Sequence, residues 1–303
     1  MPSLNNIINT QLLLLSLIII GVIIAKTGIV DKHGASMLGE LVLNLLLPCN
    51  ILSSFISAEG RIMSLALVFV ISACLTLGSY FLGKFLLYRF MEPEQTKVLC
   101  YSTLMSNAAF LGNPVVESIY GLSGLVYASV FLMPLRICMW TLGLALFTGK
   151  GGGIRKVVLH PCLIATYIGL VFMFGRIGVP VFIDRLIFTV GDCTTAFSMI
   201  VVGHVLAQVN LRNIITKTVF YYSFIRLLFI PLVLMITLLL CRVDPLIAGV
   251  SVALAGMPAP STVSILANKY GGDSELASKI ILVSVLLSML TVPAWTIAVS
   301  RFF

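Results

Sequence analysis

Charged side chains are scarce in this chain. Only 10% of its 303 residues are Asp, Glu, Lys or Arg, and mean hydropathy is +1.12. A soluble domain carries about 25% charged residues, so the shortage excludes one and indicates an integral membrane protein. Also missing are any CxxC pair and any Cys/His cluster. The seven cysteines stand singly in apolar segments, as small buried hydrophobes rather than a disulfide framework or a metal site. The segment GKGGG lacks the spacing and the strand–helix context of a phosphate loop, and there is no nucleophile elbow. No enzyme, metal or cofactor is therefore expected. Neither Lys nor Arg precedes the first apolar run, Gln11 to Ala25, and no small-residue cleavage site follows it. That run is expected to be a first transmembrane helix rather than a removable signal peptide.

Long apolar runs are abundant instead. Each is near the roughly 20 residues that cross a 30 Å hydrocarbon core at about 1.5 Å per residue. Read between charge and Gly/Pro punctuation, they predict ten transmembrane helices at 11–26, 36–58, 62–90, 97–120, 124–148, 155–175, 184–208, 214–241, 246–270 and 274–300. The low-complexity stretch Gly149 to Lys156 falls between the fifth and sixth spans and reads as a flexible linker. The expected division is 1–148 as a first five-helix repeat, 149–154 as linker and 155–303 as a second repeat.

The net charge of +8 would suit a nucleic-acid binder, but the basic residues lie in short loops between spans. Orientation explains them better, and nucleic acid is not an expected partner. Loops after odd-numbered spans hold Lys26, Lys32, Lys84, Arg89, Lys97, Lys150, Arg155, Lys156, Arg212, Lys217, Lys269 and Lys279; the opposite side holds Arg61, Arg176, Arg185, Arg242 and Arg301. The richer side is expected to be cytoplasmic, which places both termini outside. With five helices per half, the second half enters from the opposite face, so halves sharing a fold form an inverted repeat.

Two spans in matching places are broken. Thr103 to Gly121 reads TLMSNAAFLGNPVVESIYG, and Ala248 to Gly272 reads AGVSVALAGMPAPSTVSILANKYGG. Proline, glycine and small polar residues in mid-span free backbone groups, which lipid tolerates only beside protein or a watered cavity. Paired breaks of this kind mark a midplane binding site in secondary transporters.

Arg136 and Arg226 are the basic residues left inside spans, with Glu117 and Asp192 among the acids and Glu40 near the start of the second span. An intramembrane charge is a functional candidate by default; the other readings are a structural ion pair or a side chain reaching the headgroups. Arg136 lies about 12 residues past the turn at Gly121 to Gly124, roughly 18 Å deep, and Asn113 about nine residues before it, roughly 13 Å deep. Pro134 loosens the helix beside Arg136. Glu117 falls one turn from Asn113 on the same face, placed to line an outer vestibule or to titrate. In the second half Pro258 lies near the midplane, followed by Ser261, Thr262 and Ser264, whose hydroxyls serve either the broken backbone or a ligand. Half-helices beyond Asn113–Pro114 and Pro258–Pro260 are expected to point their N-termini at the cavity, which favours an anion. An arginine adds a fork matched to carboxylate. His33 and His160 sit at membrane edges, and His204 reads as a packed or hydrogen-bonded histidine.

The segments LPCNILSSF, NAAFLGNPV, HPCLIATYIGL, IRLLFIP and MPAPSTVSILANKYGGDSELASKIILVSVLLSMLTVP carry a resemblance over nearly the whole length. The chain resembles the auxin efflux carrier family, which groups plant PIN carriers with bacterial organic-acid permeases. The resemblance implies an all-α membrane fold similar to bile acid–sodium symporters. It also implies crossing broken fourth and ninth helices in a mobile transport group (helices 3–5 and 8–10), and a scaffold of helices 1, 2, 6 and 7. It makes Asn107 the asparagine that meets the substrate carboxylate. Relatives usually place an apolar residue where this chain has Asn113, and often an Asn where it has Thr262. The expected substrate site is thus Asn107, Asn113, Pro114, Arg136, Pro258, Pro260, Ser261 and Thr262, with Glu117, Asp192 and Arg226 as coupling or ion-pair residues.

The expected function is a plasma-membrane secondary transporter moving a small organic anion by elevator-like alternating access. The alternatives are a cation-coupled carrier of a neutral or amphipathic solute and a non-transporting sensor using the same pocket. Expected partners are the anion, the lipid bilayer, a proton or sodium ion for coupling, and a second copy in a homodimer. Freed carbonyls near Asn107 and Ala255 are the candidate sodium ligands, although no complete sodium cage is legible; export on the membrane potential alone is the third option.

Overall fold

A computed structural model describes residues 4–56, 62–87, 91–149, 158–208, 214 and 216–303. The proposed linker lies outside the described residues apart from Gly149, as do Arg61, Arg89 and Arg212 of the loops. All described elements are helical, with no strand among the described residues.

Helix α1 is Leu4–Thr27. Helix α2 runs from Lys32–Leu41 through a wide π turn, Val42–Leu46, into Leu47–Ile56. Helix α3 is Ile62–Phe81, continued by the π turn Leu82–Leu87. Helix α4, Pro93–Leu104, stops, and a π turn at Ala108–Gly112 leads into α5, Asn113–Cys138, which continues through Met139–Gly143 to Leu144–Thr148. Next come α6, Pro161–Gly175, and α7, Val181–Ala207. Helix α8 joins Lys217–Phe224 to Ile230–Leu240 through the π turn Ile225–Phe229. The chain ends in α9, Pro245–Ala255, α10, Thr262–Tyr270, and α11, Ser274–Phe302.

Among the described residues, six stretches are long and apolar enough to cross a membrane: His33–Ile56, Ile62–Phe85, Pro93–Thr148, Val181–Ala207, Lys217–Leu240 and Ser274–Phe302. Leu12–Thr27, Pro161–Gly175 and Pro245–Ala255 are apolar but shorter. Two features differ from the ten-span reading. The fourth and fifth spans run on together through Gly121, whose φ of 67° bends the chain without a loop and is open to glycine at no steric cost. The ninth span is two short helices, because Pro258 and Pro260 remove donors and hold their predecessors out of helix.

Three further prolines are absorbed by π turns. Pro48, Pro114 and Pro231 each follow a π turn by two residues, so the carbonyls their rings would strike, at 44, 110 and 227, lie within the widened turn. The carbonyl of Leu227 accepts instead from Trp295 Nε1 at 2.8 Å. Acids are used as helix caps: Asp244 Oδ1 accepts from the Leu246 and Ile247 amides at 2.9 and 3.3 Å, and Asp273 Oδ1 from the Leu276 amide at 2.8 Å.

Helices α1, α2, α6 and α7 pack on one another. The tightest approach is α7 on α1, where a Cβ on Gly203 would stand 2.1 Å from the Ile18 carbonyl oxygen. Helices α4, α5 and α8–α11 gather around the two breaks. Large apolar side chains face outward, among them Phe182, Leu240 and Leu290. The seven cysteines are unpaired, and Cys74, Cys193 and Cys241 are on the outer face rather than buried as expected.

Candidate functional site

The two broken segments meet. The Asn107 amide donates to the Pro258 carbonyl at 2.9 Å, joining the gap after α4 to the gap after α9. Helix α4 and helix α10 lie side by side and antiparallel: Tyr101 Oη and Thr262 Oγ1 are 3.0 Å apart, Lys97 Nζ donates to the Gly271 carbonyl at 3.3 Å, and the Asp273 amide donates to the Glu94 carbonyl at 3.3 Å.

Helix breaks leave carbonyls and amides without intrahelical partners, and each needs a replacement. Helix α8 supplies donors from one face. Tyr222 Oη donates to the Ser102 carbonyl at 2.9 Å. One turn on, Arg226 donates from Nη1 to the Thr103 carbonyl and from Nε to the Met257 carbonyl, each at 3.0 Å. Helix α11 contributes Ser284, whose Oγ accepts from the Ala259 amide at 3.1 Å. Arg226, 3% exposed, thus serves the backbone of both breaks.

Arg136 is placed differently. It is 7% exposed, and both Nη1 and Nη2 lack a hydrogen-bond partner. The Cys162 sulfur of α6 lies close to the guanidinium, a weak acceptor that leaves its charge unanswered. It makes no salt bridge with a described residue; the ion pair seen among the described residues joins Lys279 to Glu275 at 2.6 Å. Arg136 lines a cavity of about 100 Å³ together with Ser106, Asn107, His160, Ser261 and Thr262, closed by apolar side chains such as Leu43, Phe110 and Leu132. The first residues of the helical turn at Ala108 and of α10 open onto it, so two helix N-termini face the same space as an unpaired guanidinium. A buried cation without a counter-charge is costly, and a carboxylate entering the cavity would remove the cost.

Of the sequence-predicted site residues, the structure brings Asn107, Arg136, Pro260, Ser261 and Thr262 to this cavity; Pro258 does not line it, but its carbonyl accepts from the Asn107 amide. Asn113 and Pro114 do not line it. The first half-helix begins at Ala108 rather than beyond Pro114, because the π turn accommodates the proline ring and the break falls at Met105 to Asn107. Asn113 is buried with neither amide atom partnered. Glu117 accepts from Asn50 Nδ2 at 3.0 Å, and the same nitrogen donates to the Gly191 carbonyl at 3.1 Å. Asp192, exposed on α7, is near enough to Glu117 to repel its charge. This cluster ties α5 to α2 and α7, away from the cavity. Glu40 is exposed.

Two polar residues of the cavity were not legible as such. His160 caps α6 with Nδ1, which accepts from the Cys162 amide at 3.3 Å, and the residue lines the cavity. Ser106 Oγ is buried and unpartnered beside Asn107. The signal for Ser106 was its place in the break; His160 had none, since its approach to Arg136 is a tertiary contact. His204 is hydrogen-bonded at both nitrogens, to the Val30 carbonyl at 3.0 Å and Gln208 at 2.9 Å.

Comparison with known proteins shows the family. The family described as "Membrane transport protein" matches residues 6–158 and 153–296. A protein of Methanothermobacter thermautotrophicus named "Uncharacterized transporter" is 29% identical over 95% of this chain and 97% of its own length. A protein of Rhizobium meliloti named "Putative malonate transporter" is 28% identical over 46% of this chain and 43% of its own. "Uncharacterized transporter YfdV" of Escherichia coli is 22% identical over 89% and 90%.

Proposed function

We propose that this chain, which belongs to the membrane transport protein family, is a secondary transporter of a small organic carboxylate. It is a multi-pass membrane protein. The observation that carries the substrate class is Arg136: a buried guanidinium with two free nitrogens, facing a cavity that two helix N-termini also address. A carboxylate accepts from both nitrogens at once, which fixes its orientation as well as its charge. Asn107, Ser106 and Thr262 offer hydrogen bonds to the rest of the solute. The cavity volume suits a compact acid, and the name of the Rhizobium meliloti relative points to a short dicarboxylate.

The membrane topology in this reading is ten crossings as a 5+5 inverted repeat, with termini outside. Helices α1, α2, α6 and α7 form the scaffold, and the remaining helices carry the crossing and its cavity from one face of the membrane to the other. The packing of the first four on one another supports that division. The Glu117–Asn50 contact spans the two groups, so protonation of Glu117 is a route to proton coupling; export on the membrane potential needs no coupling ion.

Purified protein in liposomes, offered malonate, other mono- and dicarboxylates and neutral analogues of equal size, tests the reading. Saturable flux of one or more carboxylates is expected. Flux of neutral solutes alone, or binding with no flux, would overturn it.

A further inference from the structure

We infer that Arg226 is a built-in cation of the crossing, holding the two broken backbones together where a dissociable ion would otherwise be needed. The part of this inference that concerns flux rests on the transport reading above; the part that concerns cohesion of the crossing does not.

Thr103 lies in the last turn of the first broken helix and Met257 in the second break, and their carbonyls converge on one guanidinium at 3.0 Å each. They come from separate segments, 154 positions apart in the chain. Helices α4 and α9 both end here, so two C-terminal dipole ends with their exposed carbonyls meet at one point. Such a point attracts a cation. Lipid-depth backbone carbonyls of this kind are what discontinuous transporter helices offer to a coupling ion. Here the oxygens are already bonded, and the bound charge is tethered to α8 at a buried position.

The tether is itself held. Arg226 sits in the π turn Ile225–Phe229, which Pro231 requires, and Tyr222 one turn earlier bonds the neighbouring carbonyl of Ser102. The planar fork presents Nε–H and Nη1–H at a fixed angle, so both carbonyls are held at a set separation. A free cation at the same carbonyls would have to displace these bonds and face the guanidinium charge nearby. The crossing is therefore complete without sodium.

Protein purified in detergent and reconstituted in liposomes tests this with two readouts, melting temperature and carboxylate flux, in sodium chloride against choline chloride of equal strength. Wild type is expected to give equal values in both salts. Arg226→Ala should lower the melting temperature by about 5 °C or more, the scale of losing two charge-assisted hydrogen bonds in a chain of this size. Low-millimolar guanidinium should restore at least half of that loss in the variant and leave wild type unmoved. Arg226→Lys keeps a tethered charge without the fork, so it should lose less and remain indifferent to sodium.

Wild-type melting or flux that rises saturably with sodium overturns the inference. So does an Arg226→Ala protein as stable as wild type, or a loss that guanidinium does not recover. If Arg226→Ala gives no folded protein, Arg226→Lys decides: sodium indifference sustains the inference and sodium dependence overturns it. Wild type that carries no carboxylate would overturn the transport reading instead, and the melting arm would still judge Arg226.

Discussion

The Asn107 amide and the Pro258 carbonyl, 2.9 Å apart, fasten the two broken segments of this chain to each other at the point where both lose helical structure. Each break alone would leave several backbone groups unpaired at membrane depth, and each such group costs several kcal/mol in hydrocarbon, on the order of a lost hydrogen bond or more. Meeting at this point, they share donors from α8 and an acceptor from α11 and leave one polar space between them.

Tyr222 is the neutral member of the donor pair on α8. Tyr222→Phe removes the bond to the Ser102 carbonyl and leaves that carbonyl buried, so stability should fall by about 1–3 kcal/mol. Thermal melting in detergent reads this directly. A melting temperature within 1 °C of wild type, roughly the resolution such a comparison needs, would contradict the role given to α8.

Close packing of α1 on α7 depends on Gly203. Alanine there drives a methyl group into the Ile18 carbonyl, and overpacking of this kind costs about 1–3 kcal/mol. Gly78→Ala is the control, because a Cβ at Gly78 meets nothing within 4 Å and alanine is the better helix former. The expected outcome is a clear loss for the first and no loss for the second.

Much of this arrangement was legible in the residues, and the rest had physical reasons for hiding. The paired breaks announced themselves through Asn107, Pro258 and Pro260, since proline and small polar residues in an apolar span have few other uses. Arg136 stood out because charge is rare in this chain. The break position did not: Pro114 looks like a helix breaker by composition, whereas the π turn before it keeps the helix intact. Arg226 was visible as an intramembrane charge, but whether it meets a ligand, an acid or backbone depends on contacts between residues far apart in sequence. His160 joins the cavity for the same kind of reason.

Coupling is testable at Glu117. Glu117→Gln keeps an acceptor for Asn50 but removes the titrating proton. If Glu117 carries the coupling proton, carboxylate flux in this variant should no longer respond to an imposed pH difference, while its response to voltage persists. Unchanged pH dependence would point to transport driven by the potential alone.

Motion between the two helix groups can be probed where α1 meets α5. Leu14 and Val115 line one small gap of about 20 Å³ between those helices. Cysteines at both positions, in a background lacking the native seven, joined by a short bifunctional reagent, should stop flux and spare carboxylate binding. Full flux with the crosslink in place would replace the rigid-group movement by local gating.

Initial rates of carboxylate uptake into liposomes by wild type, Arg136→Lys and Arg136→Gln test the central claim most directly. Loss of a charge-assisted pair is worth about 1.5–3 kcal/mol, or roughly ten-fold to a hundred-fold in transport efficiency. Arg136→Gln should show that loss for carboxylates, and Arg136→Lys should fall in between because an ammonium lacks the planar fork. An Arg136→Gln protein that moves carboxylates at the wild-type rate and KM would contradict the account.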